Sequence, residues 1–124
     1  MGFKVLIVDA LQASRESIAG AVKSVPNVEV LVTGSSFEAL NLLARHRVDL
    51  VIASMEMPDL NGLELVNFVK KNPSYRETPL FIVADEQNET ERDRGLAMGA
   101  AEYLFRPLKS PELEELLRRY LKVA

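Results

Sequence analysis

The sequence predicts an α/β domain in which helices cover both faces of a parallel sheet. Two observations predict this class: five short apolar runs alternate with five longer, mostly amphipathic stretches, and each run ends at a polar residue. Strands that alternate with helices build parallel sheets, and right-handed crossovers leave few topologies. A length of 124 residues fits one domain and no repeat or linker divides the chain, so we predict a single domain over residues 1–124.

The five apolar runs predict the strands, because runs of this length rich in Val, Ile, Leu and Phe are typical of buried strands. In chain order they cover residues 3–8, 28–32, 48–53, 79–84 and 101–105. The third run is nearly continuous in apolar character, which is typical of a strand buried on both faces of a sheet. Polar residues follow every run, so we expect them to meet at the carboxyl edge of the sheet, where such folds bind ligands.

The stretches that follow the runs predict the helices. Apolar residues recur three or four positions apart within residues 14–23, 40–44, 63–69 and 113–121, whereas residues 85–94 are polar and largely acidic. Boundary residues support this division: the segment 33–36 offers N-cap chemistry, Asn72-Pro73 ends the third helix, and Gly99 ends the fourth. Ser110 is predicted as the N-cap of the last helix, with Pro111 in its first turn.

Composition excludes several function classes. The formal net charge of −3 and the isoelectric point near 5.2 argue against non-specific binding to nucleic acid or to an anionic membrane. The chain has no cysteine, which excludes disulfides and thiolate nucleophiles. The apolar run at the amino terminus stops at Asp9 and is too short for a signal peptide or a membrane span, so we predict a cytoplasmic protein.

Several segments carry a resemblance to a known family, and they occur in the family's order and spacing. They are residues 4–9, 49–52, 57–65, 95–100 and 103–107. With them, the chain resembles the receiver domains of two-component response regulators over essentially its whole length. The resemblance implies a flavodoxin-like fold, a doubly wound five-stranded parallel sheet in strand order 2-1-3-4-5 with helices on both faces. It also implies a signalling role in which a histidine kinase transfers a phosphoryl group to an aspartate.

That chemistry needs an aspartate after the third strand, two acids after the first, a hydroxyl after the fourth and a lysine after the fifth. The matching positions here hold Ser54, Asp9 with Ala10, Ala84 and Arg106. A serine without a general base is a poor nucleophile, and arginine keeps the charge of lysine but not its compact geometry. We therefore predict a degenerate phosphorylation site without catalytic residues, in a pseudo-receiver that acts by protein–protein interaction and is not an enzyme.

The carboxylate of Asp9 needs a positive partner, because a buried acid without one is costly. Asp9 and Glu56 are weak candidates for Mg²⁺, which is usually held by one or two carboxylates together with phosphate oxygens or waters. The preferred interpretation is that Arg106 pairs with Asp9 instead. We therefore predict no resident metal and no other cofactor.

The resemblance also implies a partner surface on the fourth helix, fifth strand and fifth helix, where receivers dimerise or meet output domains. Its candidate residues are Arg92, Arg94, Glu102, Tyr103, Arg118 and Arg119. Tyr103 matches the family's switch aromatic, but Ala84 offers no hydroxyl to move it, so we expect a fixed part of the partner surface. The predicted partner is a signalling protein, a second copy or an output domain encoded beyond Ala124, and neither a nucleic acid nor a membrane.

Two alternatives stay open. In the first, the chain is a phosphorelay receiver that uses Asp9, Glu56 or Asp85 as a non-standard acceptor. In the second, it is a flavodoxin-like protein that binds a small molecule. Against the second, the loop of residues 9–14 has no glycine that would let its backbone cradle a phosphate.

Overall fold

Strands and helices alternate five times in the computed structural model, which describes residues 2–122. The strands are β1 (Phe3–Val8), β2 (Val28–Thr33), β3 (Leu50–Ser54), β4 (Leu80–Ala84) and β5 (Glu102–Phe105). The helices are α1 (Gln12–Lys23), α2 (Ser36–Arg45), α3 (Gly62–Lys71), α4 (Glu89–Met98) and α5 (Ser110–Leu121). All neighbouring strands are parallel, in the order β2-β1-β3-β4-β5, which confirms the predicted flavodoxin-like fold. The predicted domain limits at residues 1 and 124 lie outside the described residues.

The helices divide the core into two apolar layers, one on each face of the sheet. On one face, α2 and α3 contribute side chains such as Leu43 and Leu65. On the other face, α1 and α5 contribute Val22 and Leu117, and the ring of Phe81 on β4 packs here too. Every residue of β3 and β4 is buried, because these central strands have a neighbour on both sides and helices on both faces.

Strand register brings the carboxyl ends of four strands together. Val8 on β1 lies beside Ala53 on β3, Ser54 lies beside Val83 on β4, and Ala84 lies beside Phe105 on β5. Residues that directly follow these positions therefore share one edge of the sheet, as expected for this topology. His46, the single histidine of the chain, follows α2 at the opposite pole and is remote from this edge.

Helix ends show one boundary prediction that is wrong. The N-cap of α5 is Lys109, and Ser110 is already the first helical residue. The Leu113 N–H donates to the Lys109 carbonyl at 3.0 Å, so the first turn closes one residue earlier than predicted. Pro111 fits this position because the first backbone N–H groups of a helix lack intrahelical partners. The predicted end of α4 is confirmed, since Gly99 adopts a left-handed conformation with φ of 119°.

The fourth helix differs from the others because it buries a single residue, Gly95. Its sequence is polar, and Asn88 caps its start by accepting a hydrogen bond from the Glu91 N–H at 3.0 Å. Every helix within residues 2–122 is too short or too polar to cross a membrane.

Candidate functional site

The carboxylate of Asp9 forms the centre of the site. Asp9 directly follows β1 and is 1% exposed. Its Oδ1 accepts a hydrogen bond from the Leu11 N–H at 3.0 Å, and its Oδ2 accepts one from Arg106 Nη2 at 2.9 Å. The predicted pair of Asp9 with Arg106 is therefore present in the structure. Both carboxylate oxygens are occupied, so this buried charge is satisfied within the protein.

The guanidinium of Arg106 contacts residues at the ends of three other strands, β1, β3 and β4. The Arg106 N–H donates to the Ala84 carbonyl at 2.9 Å, which fixes the arginine at the end of β5 before a cis bond to Pro107. Its Nη1 lies 3.1 Å from Asp85 Oδ1 and 3.8 Å from Glu56 Oε1. Its Nη2 donates to Ser54 Oγ at 3.3 Å. One cation therefore contacts all three carboxylates of this edge.

Two residues of α1, which the sequence analysis did not single out, complete this site. Ser14 Oγ accepts hydrogen bonds from Arg106 Nε at 3.3 Å and from Nη2 at 3.2 Å. Arg15 Nη1 donates to the carbonyls of Asp9 and Ala10 at 2.8 and 3.3 Å. Ser14 thus helps orient the guanidinium, and Arg15 fixes the loop that carries Asp9. Both residues lie in the first turn after the loop that follows β1, and this closeness in sequence could have indicated that they belong to the site.

The hydroxyl of Ser54 is buried and makes hydrogen bonds that hold it in place. Ser54 is 4% exposed at the end of β3. Its Oγ donates to the Glu56 carbonyl at 3.3 Å and accepts from Arg106, and neither partner is a general base. A serine needs such a base to become a nucleophile, so this arrangement does not activate it.

The carboxylate of Glu56 is affected most by burial, which raises its pKa above the ordinary value. The Asp85 N–H donates to Glu56 Oε1 at 3.3 Å and opposes this rise, whereas the nearby Asp85 carboxylate adds to it. Arg106 lowers the pKa of Glu56 through its charge. The pKa of Glu56 therefore reflects its burial together with the opposing charges of Asp85 and Arg106.

Asp9 and Glu56 were the weak candidates for the Mg²⁺ that the resemblance implies. Both contact the Arg106 guanidinium, which lies where a bound cation would contact Asp9 Oδ2. Within the described part of the chain, no group of three acidic, histidine or cysteine residues is arranged to hold a metal ion. An octahedral oxygen shell around Mg²⁺ does not fit this arrangement, so we derive no step through a metal.

A second acidic centre, Asp59 in the loop before α3, was also missed. Its carboxylate accepts hydrogen bonds from Ser35 Oγ at 2.9 Å and from the N–H groups of Ser36 and Phe37 at 3.2 and 3.1 Å. Ser36 Oγ also donates to the Leu60 carbonyl at 2.7 Å. Asp59 thereby caps α2 from another loop and attaches that loop to the helix.

The placement of Tyr103 on a partner surface is wrong. Tyr103 is 7% exposed, and its hydroxyl donates to Glu91 Oε1 at 2.9 Å. Its ring packs edge to face with Phe105 at 5.6 Å and covers Gly95, where an added Cβ would lie 3.0 Å from the ring. Burial and the Glu91 carboxylate raise the pKa of the Tyr103 hydroxyl. The ring of Tyr103 can point inward because Gly95 has no side chain and leaves space for it on α4.

Most of the other predicted surface residues have partners on their own side of the molecule. Glu102 Oε2 accepts a hydrogen bond from the Tyr120 hydroxyl at 2.6 Å. Arg119 pairs with Glu115 at 3.6 Å, and Arg92 approaches Asp93 at 3.5 Å. Arg94 is exposed and Arg118 is partly buried. Dimerisation through this face stays a prediction.

Comparisons with known proteins agree with this architecture. A family model described as response regulator receiver domain matches residues 5–118. A CheY homolog of Campylobacter jejuni, a chemotaxis protein, is 30% identical over 119 residues, which cover 95% of this chain and 92% of that protein. A probable cyclic di-GMP phosphodiesterase of Vibrio cholerae is 31% identical over 84 residues, which cover 68% of this chain and 19% of that protein. The chain therefore spans about a fifth of that longer relative.

Among solved structures, the chemotaxis response regulator CheY4 of Vibrio cholerae superposes with a TM-score of 0.88 at 28% identity, covering 97% of this chain and 99% of that one. The family match spans nearly the whole chain, and the strand order is the one expected of this family. The chain belongs to the response regulator receiver domain family and is a receiver domain of two-component signalling.

Proposed function

We propose that this receiver domain signals by protein–protein interaction without being phosphorylated, and that it is not itself an enzyme. The observation that carries the proposal is the Arg106 guanidinium, which lies 2.9 Å from Asp9 and 3.1 Å from Asp85. A fixed internal cation there competes with a metal ion for the same carboxylate oxygen. Ser54, at the end of β3, offers a neutral hydroxyl where the family's chemistry needs a carboxylate.

The surroundings of the other acids also support this proposal. Asp9 is 1% exposed and both of its oxygens accept hydrogen bonds, so it offers an incoming phosphoryl group neither access nor a free oxygen. Glu56 and Asp85 are exposed, but each contacts the same guanidinium. In-line attack needs a positioned nucleophile together with charge stabilisation on the transferring group, and the residue that would stabilise charge is already paired.

A receiver that is not phosphorylated stays in one conformational population, because the group that normally shifts the equilibrium is not installed. We propose that its output is the surface that it presents to a cytoplasmic signalling partner or to a fused output domain. The longer Vibrio cholerae relative, named a probable cyclic di-GMP phosphodiesterase, supports the second arrangement as one the family uses.

The proposal is tested by incubating the protein with acetyl phosphate and Mg²⁺ and measuring its intact mass. We expect no phosphoryl adduct. The matched control is the variant A10D/S54D/A84T/R106K, which restores the acids, hydroxyl and lysine of the family chemistry at the matching positions. We expect this variant to gain an adduct at residue 54, which shows that the reagents and the fold support the reaction.

A phosphoryl adduct on the unmodified protein would overturn the proposal. Peptide mapping then identifies the acceptor: an adduct on Asp9, Glu56 or Asp85 supports a phosphorelay receiver with a non-standard acceptor. Amide NMR shifts on addition of beryllofluoride and Mg²⁺ provide a second readout, and saturable changes around Ser54 would contradict the proposal equally.

A further inference from the structure

A groove lies at the pole opposite the strand-end site. It has a volume of about 770 Å³ and lies between the loop that joins α2 to β3 and the loop that joins α3 to β4. Its walls are residues 43–49 and residues of the segment 72–79. None of these residues belongs to the site around Asp9 or to the face of α4, β5 and α5.

The groove is pre-formed, because hydrogen bonds join its two walls. The hydroxyl of Tyr75, which is 6% exposed, shares its single proton between the carbonyls of Leu43 at 2.7 Å and His46 at 2.5 Å. Asp49 Oδ2 accepts a hydrogen bond from the Lys4 N–H at 2.8 Å, which holds the end of the first wall. Lys70 donates to the carbonyls of Arg76 and Thr78 and thereby holds the second wall. A fixed groove loses little entropy when a ligand binds.

Positive charge dominates the two segments that form the groove and its rim. The residues that line the groove include two cations, Arg45 and Arg47, and two acids, Asp49 and Glu77. The rim within residues 70–79 adds three more cations, Lys70, Lys71 and Arg76. Lys70 is occupied internally, but the other four cations are exposed. Within residues 2–122, the guanidinium groups of Arg45 and Arg47 have no hydrogen-bond or ion-pair partner.

Helix-end electrostatics account for only part of this charge. Arg45 and Lys71 lie in the last turns of α2 and α3, where cations complement the helix dipole. Arg47 and Arg76 lie in loops, outside the helices, so that argument does not apply to them. The exposed guanidinium groups are therefore available to an external anion.

We propose that this groove, formed by residues 43–49 and 72–79, is together with its basic rim a docking surface for an acidic segment of a partner protein. Guanidinium groups bind carboxylates in a planar, bidentate geometry, and Arg45 and Arg47 offer two such groups on one wall. The groove lacks the largely apolar lining that small-molecule sites have. This inference rests on the proposed function, which gives the domain a protein-binding role.

The test is fluorescence anisotropy of a labelled octaglutamate peptide with the purified protein, with amide NMR to locate the bound peptide. We expect saturable binding with shifts confined to residues 43–49 and 72–79. The R45E/R47E variant should bind roughly tenfold more weakly, and R45A/R47A should show a smaller loss. The matched control K23E/K109E makes the same change in net charge on exposed lysines at the end of α1 and directly before α5, and it should bind within about twofold of the unmodified protein.

Absence of peptide binding to the unmodified protein would overturn the inference, and so would an equal loss in both double variants, which indicates diffuse attraction. A larger loss in K23E/K109E would place the bound peptide outside the groove and contradict the inference. Inorganic phosphate that produces the same shifts at the same affinity would show a small-anion site and contradict docking of a protein segment. These outcomes do not depend on the mass measurement of phosphorylation, so the two proposals fail separately.

Discussion

Two acidic centres at the carboxyl edge of the sheet differ in what satisfies their charge. Asp9 is held by the guanidinium of Arg106, a side chain 97 residues away in sequence. Asp59 is held by a hydroxyl and by the backbone N–H groups at the start of α2. The first centre depends on side chains at positions that carry the family's chemistry, whereas the second depends on the fold itself. The difference supports the proposal that this chain has the family's scaffold without its phosphorylation chemistry.

Removal of the Arg106 guanidinium is expected to have the largest effect. The R106A variant leaves the buried Asp9 carboxylate without its cation, and loss of one partner of a buried pair costs about 3 kcal/mol of unfolding free energy. Urea denaturation measures this value. R106K keeps the charge and should lose roughly half as much. If R106A lost less unfolding free energy than a typical surface substitution, the pair of Asp9 with Arg106 would not stabilise the fold.

Neutralisation of Asp59 should have the second largest effect. D59N keeps the size of the side chain but weakens the cap of α2, so we expect a loss of about 1 to 2 kcal/mol in urea denaturation. D93N, on the exposed surface of α4, is the matched control and should change stability by less than about 0.5 kcal/mol. Equal effects of the two substitutions would contradict a capping role.

The comparison also predicts how the contribution of Asp59 changes with pH. Burial by itself raises the pKa of Asp59, but hydrogen bonds from Phe37, Ser35 and Ser36 outweigh it and hold the pKa well below the ordinary value. A depressed pKa in the folded state stabilises the protein above the unfolded value of about 4, and this stability is lost as pH falls further. The unfolding free energies of the unmodified protein and D59N should therefore converge below about pH 4. A constant difference across the acid range would contradict this assignment.

Removal of the Ser54 hydroxyl should have the smallest effect. The hydroxyl makes two hydrogen bonds of 3.3 Å, to the Glu56 carbonyl and from Arg106, so S54A is expected to cost about 1 kcal/mol or less. Thermal unfolding monitored by circular dichroism measures the change, with the exposed S74A as control. A loss as large as that of R106A would mean that Ser54, not Arg106, organises the site.

Much of the fold followed from the sequence because local patterns determine it. Apolar runs and caps located the strands and helices, and the resemblance implied their order. The pair of Asp9 with Arg106 could be predicted because both residues directly follow strands that end at one edge. The contacts of Asp59 with α2 and of Ser14 with Arg106 join a loop residue to a helix, across 22 to 24 and 92 residues of sequence, and no local pattern encodes them.

Tyr103 shows a different limit of sequence reasoning. Its place on β5 was predictable, but the direction of its ring depends on Gly95 of α4, which leaves the space that the ring fills. The weak apolar pattern of α4 gave no signal for this contact, because the helix buries only that glycine. Packing between elements, rather than the spacing within one of them, decided the outcome.

The central claim is that an internal guanidinium, and not a divalent cation, occupies the carboxyl edge. Paramagnetic line broadening by Mn²⁺, recorded in amide NMR spectra of the unmodified protein, tests it most directly. We predict no localised broadening at residues 9–11, 54–57 and 84–86, and the appearance of such broadening in R106A once the three carboxylates lose their cation. Saturable broadening of these amides in the unmodified protein would contradict the claim.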